Sequence, residues 1–143
     1  MLIRDCSGGI VFCRDQVLLI QNEKEEWSFP KGVIRGDNEA VDIAIWRVKD
    51  ESGVDARIIA LAGKTSYEFY SITRKKPVAN RIKWYIMVCD DVKATPNTEQ
   101  GFLAAEFFPI DEAIKTVTYS QDRSLLILAS QKYKELNEGF DEF

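Results

Sequence analysis

The chain of 143 residues contains no histidine. A Ser-His or Cys-His nucleophile, a histidine general base and a histidine-ligated zinc site are thereby excluded, and any acid–base work falls to carboxylates, lysine or tyrosine. Its three cysteines, Cys6, Cys13 and Cys89, have no Cys-x-x-Cys spacing and lie in apolar segments, so buried thiols are expected rather than metal ligands or redox pairs. No apolar run approaches the roughly 18 residues that a membrane-crossing helix needs. Runs such as Val17 to Ile20 and Leu125 to Ala129 are of core size. The opening Met1-Leu2-Ile3-Arg4-Asp5 lacks the basic, apolar and small-residue stretches of a secretory signal, which makes the cytoplasm the expected location. No repeat, low-complexity stretch or linker interrupts the chain, so a single domain over residues 1–143 is expected, with a frayed acidic tail at 137–143.

With 45% hydrophobic and 29% charged residues, the composition is that of a globular domain able to bury a core without disulfides. The net charge of −4, from 19 basic and 23 acidic residues, argues against general nucleic-acid binding. The distribution is uneven. Between Phe69 and Cys89 there is no acidic residue, yet Arg74, Lys75, Lys76, Arg81 and Lys83 occur there. That basic lobe on an acidic protein reads either as a solvated hairpin tip around Lys75-Lys76-Pro77 or as a guide for a polyanionic ligand, with phosphates the natural candidates.

Local patterning predicts strands over Ser7–Cys13 and Val17–Gln21 joined by a polar turn, and a short strand Trp27-Ser28-Phe29 stopped by Pro30. An irregular stretch around Gly32 and Gly36 follows. Val41, Ala44, Ile45 and Val48 then fall at helical spacing, predicting an amphipathic helix over about 38–51, capped by Asp37 or Asn38 and stopped by Gly53. Arg47, Asp50 and Glu51 form one charged cluster beside that stripe. Further strands are predicted over Val54–Leu61, Thr65–Ile72, Arg81–Cys89 and Ala104–Pro109. A helical turn entered through Asp111 comes next, then a C-terminal helix over about 120–136 with Leu125, Leu128, Ala129, Lys132 and Leu136 on one face. This order implies an α+β fold, an α/β/α sandwich around a mixed sheet.

Trp27-Ser28-Phe29-Pro30-Lys31-Gly32, followed by a carboxylate-bearing helix ending at Gly53-Val54, resembles the Nudix family, whose members hydrolyse nucleoside diphosphates linked to another moiety. The family motif is Gly-x5-Glu-x7-Arg-Glu-U-x-Glu-Glu-x-Gly-U, with U apolar. Laid on this chain without gaps it meets Gly32, Val48, Asp50-Glu51, Gly53 and Val54. The likeness extends to the Gly8-Gly9-Ile10-Val11 strand and to Phe107 through Ala113, and within the family it is nearest to the dinucleoside polyphosphate hydrolase branch. Three charged positions depart from the pattern: Asn38 stands for the first Glu, Trp46 for the Arg and Arg47 for the Glu after it. The Glu and Arg so replaced pair with each other in the family, so losing both avoids an unpaired buried charge. Asp37 or Glu39 can stand in for the first Glu if the preceding loop shifts by one residue.

The resemblance implies a Mg²⁺- or Mn²⁺-dependent pyrophosphohydrolase in which Asp50 and Glu51 are catalytic residues and metal ligands, with Gly32 at the site and a further carboxylate from Glu99 or Glu106. Phosphate contacts fall to Lys31, Arg74, Lys75, Arg81 and Lys83, and base stacking to Tyr67, Tyr70 or Tyr85, with Phe69 a further aromatic of the same stretch. The partner is a nucleotide or other phosphorylated small molecule. Arg47 sits three and four residues ahead of Asp50 and Glu51, within reach of either along the helix. At about 4 Å its repulsion of a divalent ion is on the order of several kcal/mol even at an effective dielectric near 20. Two readings follow: a hydrolase that cleaves a diphosphate linkage, or a catalytically impaired nucleotide-binding or protein-interaction module on the same fold.

Overall fold

β1 (Leu2–Cys13) is the strand on which everything else is hung. On one side it runs parallel to β6 (Lys76–Val88), from Leu2 against Val78 to Phe12 against Val88, and β6 pairs antiparallel with the edge strand β5 (Arg57–Ser71). On its other side Cys6 to Gly8 of β1 pair with β4 (Lys31–Val33) and its last two residues with β2 (Gln16–Gln21). β2 in turn carries β3 (Trp27–Ser28) and β7 (Ala104–Pro109). The helices are α1 (Ala40–Ser52), α2 (Ile110–Thr116) and α3 (Ser120–Asp141), with a single 3-10 turn at Thr98–Gln100. This computed structural model describes the backbone of residues 1–141 and side chains through residue 137.

Alternation along β1 splits its side chains between two cores. Ile10 and Phe12 join Trp84, Ile86, Leu126 and Tyr133 beneath α2 and α3, whereas Val11 and Cys13 join Ala44, Val48, Tyr85 and Met87 beneath α1. The expected α/β/α sandwich is thus present, with all three cysteines free and buried. No helix among the described residues is long and apolar enough to cross a membrane.

Several boundaries differ from the local pattern for physical reasons. β1 begins at Leu2 because it pairs from there with β6 at Val78, and β6 begins at Lys76 because it pairs from there with the end of β5 at Ser71. The two strands expected over 54–72 are one strand, β5, since register shifts at Ile58/Ala60 and Leu61/Gly63 absorb the irregularity as bulges instead of breaking the ladder. The Lys31–Val33 stretch, expected to be irregular, is held as β4 by its pairing with Cys6 to Gly8. The N-cap of α1 is Glu39 without a side-chain cap bond, because the Asn38 amide turns back to donate to the Arg35 carbonyl at 2.8 Å. Pro109, not Asp111, precedes α2.

The buried faces are also rotated from expectation. Val41 and Ile45 are 40% and 38% exposed, and α1 buries Ala44, Val48, Glu51 and Ser52. In α3 the inward residues are Leu125, Leu126, Ala129 and Tyr133, with Leu128 exposed. α3 continues past the expected end at 136 to Asp141, through residues assigned to a frayed tail, of which 142 and 143 lie outside the described residues.

Candidate functional site

Pro30-Lys31-Gly32 carries the chain from β3 into β4, pinned to β1 where the Gly9 amide donates to the Pro30 carbonyl at 3.1 Å. A side chain on Gly32 would collide with Nε, Cδ and Cζ of Arg47, so the glycine makes room for the arginine stem. The Arg47 guanidinium carbon lies 4.9 Å from the Trp46 ring centroid, and two of the altered motif positions therefore touch each other. Its Nε is buried without a hydrogen-bond partner. The sequence spacing allowed Arg47 to reach Asp50 or Glu51. Among the described residues, however, no ion pair joins them, because the guanidinium is laid against Gly32 and Trp46 instead.

Glu51, expected on a charged flank, is 3% exposed. Burial pushes its carboxyl up to about 7, against the pull of the Arg47 and Lys31 charges and with a smaller push from Asp50; the Lys31 backbone amide also draws it down. Asp50 turns elsewhere. Its carboxylate accepts from Gln100 Nε2, and its carbonyl accepts from Asn97 Nδ2 at 3.0 Å. Backbone amides of Asn97 and Thr95 bond the carbonyls of Glu51 and Ser52, so the loop around the 3-10 turn ties off the end of α1.

Glu99 is exposed on that turn. Glu106 is exposed on β7 opposite Leu19, whose side chain belongs to the α3-side core, which sets Glu106 on the sheet face away from α1. Asp37, Asn38 and Glu39 are all exposed. No three acidic or thiol groups converge among the described residues. A hard divalent cation takes six or more oxygen ligands and relies on carboxylates for charge. Here the donors are one buried carboxyl raised to about 7 under the charges of Arg47 and Lys31, and an Asp50 carboxylate held by Gln100. The residues present do not fit the metal that the motif implies.

On the α3 side of the sheet a cavity of about 620 Å³ opens between β5, β6, the start of β1, Phe29–Lys31 and the entrance to α3. One wall is a hydrogen-bonded chain: Arg4 Nε donates to Asn80 Oδ1 at 2.9 Å, and Asn80 Nδ2 donates to the Tyr67 hydroxyl at 2.8 Å. Tyr67 and Phe69 lie with centroids 5.9 Å apart, and the Arg4 guanidinium is 5.7 Å from the Phe69 ring. Trp84 closes the floor, its indole N–H donating to Thr65 at 2.8 Å. The opposite wall is acidic. Tyr119 donates to Glu26, which also accepts from Asn22, and these bonds hold its carboxyl below the usual range. Asp122 is raised by burial against the pull of Lys31.

Of the residues singled out in the sequence, Lys31, Tyr67 and Phe69 line this cavity. Tyr85 is buried beneath α1 and Tyr70 is 63% exposed, and neither reaches it. Arg81 and Lys83 border a second hollow of about 820 Å³ with Lys64, where Arg81 is already paired with Asp5 at 3.1 Å. Arg74 and Lys75 sit in the β5–β6 turn and border neither space. Arg4, Asn80, Trp84, Tyr119 and Asp122 escaped the sequence reading. Arg4 and Asn80 become neighbours only through the parallel β1–β6 register, whereas Asp122 in the first turn of α3 was open to a search for polar groups at helix starts.

Residues 4–128 match the NUDIX domain family. Among solved structures the chain is similar to a C. elegans Ap4A hydrolase in a binary complex, with a TM-score of 0.74 and 17% identity, over 92% of this chain and 98% of that one. It is also similar to the E. coli dihydroneopterin triphosphate pyrophosphohydrolase, with a TM-score of 0.69 and 15% identity, over 88% and 95% of the two chains. An ADP-ribose pyrophosphatase from Streptococcus suis 89-1591 gives a TM-score of 0.68 and 19% identity, over 91% of each. At these identities the structural likeness is one of fold. The family match covers most of the chain and includes the Gly32-to-Gly53 segment, and the chain belongs to the NUDIX domain family.

Proposed function

We propose that this Nudix domain binds a nucleotide or related nucleoside diphosphate derivative in the cavity beside Tyr67 and Phe69, and does not turn it over by metal-assisted hydrolysis. The observation that carries this reading is Arg47, seated on Gly32 where the motif has a carboxylate and exerting its charge on Glu51. Fixed positive charge at that point opposes a divalent ion, and Asp50, tied to Gln100, does not compensate. The cavity supports the ligand class. Its aromatic pair suits a base, which gains about 1–3 kcal/mol by stacking, and Arg4 and Lys31 suit phosphate oxygens. The similar structures, an Ap4A hydrolase and an ADP-ribose pyrophosphatase, point to the same class. In this reading the chain works as one domain in the cytoplasm on a small phosphorylated molecule.

The hydrolase reading keeps one specific observation in its favour: a carboxyl raised to about 7 is poised to exchange a proton near neutral pH, as a general base does. One experiment separates the two. Phosphate and pyrophosphate release is measured from dinucleoside polyphosphates, nucleoside triphosphates and nucleotide sugars with Mg²⁺ or Mn²⁺, beside thermal shifts with the same compounds. The expected result is no release, a melting temperature raised by one nucleotide class, and loss of that shift in Tyr67→Ala. Metal-dependent release that disappears in Glu51→Gln overturns the binding reading and establishes the hydrolase.

A further inference from the structure

Alternation from Tyr85, which packs beneath α1, puts Lys83 and Arg81 of β6 on the α1 face of the sheet, and the ladder sets Lys64 and Ser66 of β5 directly opposite them. Tyr67, Asn80 and Trp84 occupy the reverse face of the same two strands, where the cavity lies. Lys64, Arg81 and Lys83 border the second hollow, of about 820 Å³, with Asp5 as its one acid. Three cations against one carboxylate leave positive charge in excess, and Glu68, next on that face of β5, does not border the hollow. Lys64 against Lys83 is a like-charge pair in direct register, an arrangement that destabilises a ladder, and neither ammonium has an ion pair among the described residues. Lys83 is half-buried with its ammonium 5.7 Å from the Tyr85 ring centroid, a contact that limits where the charge can go. Arg81 is oriented but not saturated: Asp5 accepts from its Nε at 3.1 Å, and its terminal nitrogens have no acceptor among the described residues.

We propose that Lys64, Arg81 and Lys83 form a phosphate site on the α1 face of β5 and β6, separate from the cavity on the other face. Directly opposite residues of an antiparallel pair stand about 4.5–5.5 Å apart, and same-face neighbours along a strand roughly 7 Å, so the three cations converge on a spot small enough for one anion. The Ser66 hydroxyl, which borders the same hollow opposite Arg81, adds a neutral donor. A phosphate group carries about −1.5 to −2 charge at neutral pH with three acceptor oxygens, a density that matches this convergence, whereas a carboxylate carries less. The open edge of the guanidinium presents paired donors to two of those oxygens, and the ammoniums act as point charges. An acidic peptide spreads its carboxylates along its backbone and does not concentrate charge in this way. The ligand is inorganic phosphate or the phosphate of a small ester. The site stands whether or not the cavity takes a nucleotide, because the two sets of side chains project from opposite faces of β5 and β6.

The test is a ¹H–¹⁵N NMR titration of the full chain with inorganic phosphate, at constant pH and with ionic strength balanced by chloride. Saturable shifts are expected at Lys64, Ser66, Arg81 and Lys83 with half-saturation below about 10 mM, and none at Arg74 and Lys75 in the β5–β6 turn. Lys64→Gln and Lys83→Gln are each expected to weaken binding about tenfold, the scale of one charge-assisted hydrogen bond, and Arg74→Gln to leave it unchanged. Lys64 is exposed, so Lys64→Gln decides the case even where Lys83→Gln disturbs the packing on Tyr85. Melting gives a readout of opposite sign. In chloride Lys64→Gln should melt above the parent, since the like-charge pair is gone, and in phosphate at matched ionic strength the parent should gain more and close the gap. Glycerol 3-phosphate separates the two sources: tighter binding than inorganic phosphate assigns the site to an ester, and equal or weaker binding assigns it to the free anion. Shifts that follow ionic strength without saturating, shifts confined to Arg4, Tyr67 and Asn80, or an affinity unchanged in Lys64→Gln overturn the proposal. A hexaglutamate peptide that binds there more tightly than either phosphate overturns it in favour of an acidic protein segment.

Discussion

The wall of the cavity, on the α3 side of the sheet, and the β4–α1 junction treat their polar groups in opposite ways. In the wall the chain Arg4–Asn80–Tyr67 and the Trp84–Thr65 bond satisfy one another. At the junction Arg47 Nε is buried and orphaned, and Glu51 is buried far above its ordinary pKa. Satisfied polar groups stabilise a fold, whereas unsatisfied ones cost free energy that only a ligand or a structural need can justify. The difference separates the two things a motif encodes. Its glycines serve the backbone: Gly53 takes a φ of 73° to end α1, and Gly32 spares a side chain. Both persist here while three of the motif's charged positions, at Asn38, Trp46 and Arg47, have been exchanged.

The sharpest way to break the comparison is at Trp84, which floors the cavity and belongs to the core below it. Trp84→Ala removes a fully buried ring that meets Phe29 edge-on at 5.6 Å and strands the Thr65 hydroxyl. A loss of about 3–5 kcal/mol in urea denaturation is expected, from burial and cavity costs together. If the two regions are independent, the Glu51 titration is unchanged in that variant.

Glu51 gives the next largest effect, and its sign is set by burial. The carboxyl has an ordinary value of 4.5 and a folded value of about 7. Below pH 4.5 it is protonated whether folded or not, so no ionisation cost is felt. Between 4.5 and 7 the unfolded chain releases a proton that the folded chain keeps, and stability falls as pH rises. Above 7 the loss is complete, at about 3 kcal/mol from ~1.4 kcal/mol per pKa unit. Glu51→Gln removes this dependence. It is expected to be more stable than the parent at pH 8 and nearly equal to it at pH 4.5, read as urea midpoints at the two pH values.

What local sequence carries well is punctuation and adjacency. Gly53 ends α1 and Ala104–Pro109 forms β7 within the expected bounds, and two positions of the motif, Gly32 and Arg47, meet in three dimensions. What it carries poorly is the direction of a buried face. Val41 and Ile45 are as apolar as Val48, yet they point outward, because the bare backbone of Gly9 admits Val48: a side chain on Gly9 would stand 3.0 Å from a Val48 methyl. Asp50 reads as a metal ligand until Gln100, fifty residues on, arrives to bind it. Arg4 meets Asn80 across 76 residues by way of a parallel ladder that no local pattern announces. The junction was legible because it is local, and the cavity was not because nonlocal pairing assembles it.

The smallest expected effects concern the basic lobe, and they sharpen the contrast between charges that are held and charges that are merely present. Arg81 is 58% exposed and faces a 63% exposed Asp5, so Arg81→Ala should cost no more than about 0.5–1 kcal/mol, as exposed pairs do. Arg74 and Lys75 border no hollow. The double change Arg74→Ala, Lys75→Ala is expected to leave nucleotide affinity within twofold at about 0.15 M salt, where charge acts over only about 8 Å. At low ionic strength the same variant should bind more slowly, because a distant cation contributes to encounter through the long-range field and not to the bound contact. A loss of affinity at physiological salt equal to that of Tyr67→Ala would place the phosphates on the β5–β6 hairpin instead of in the cavity.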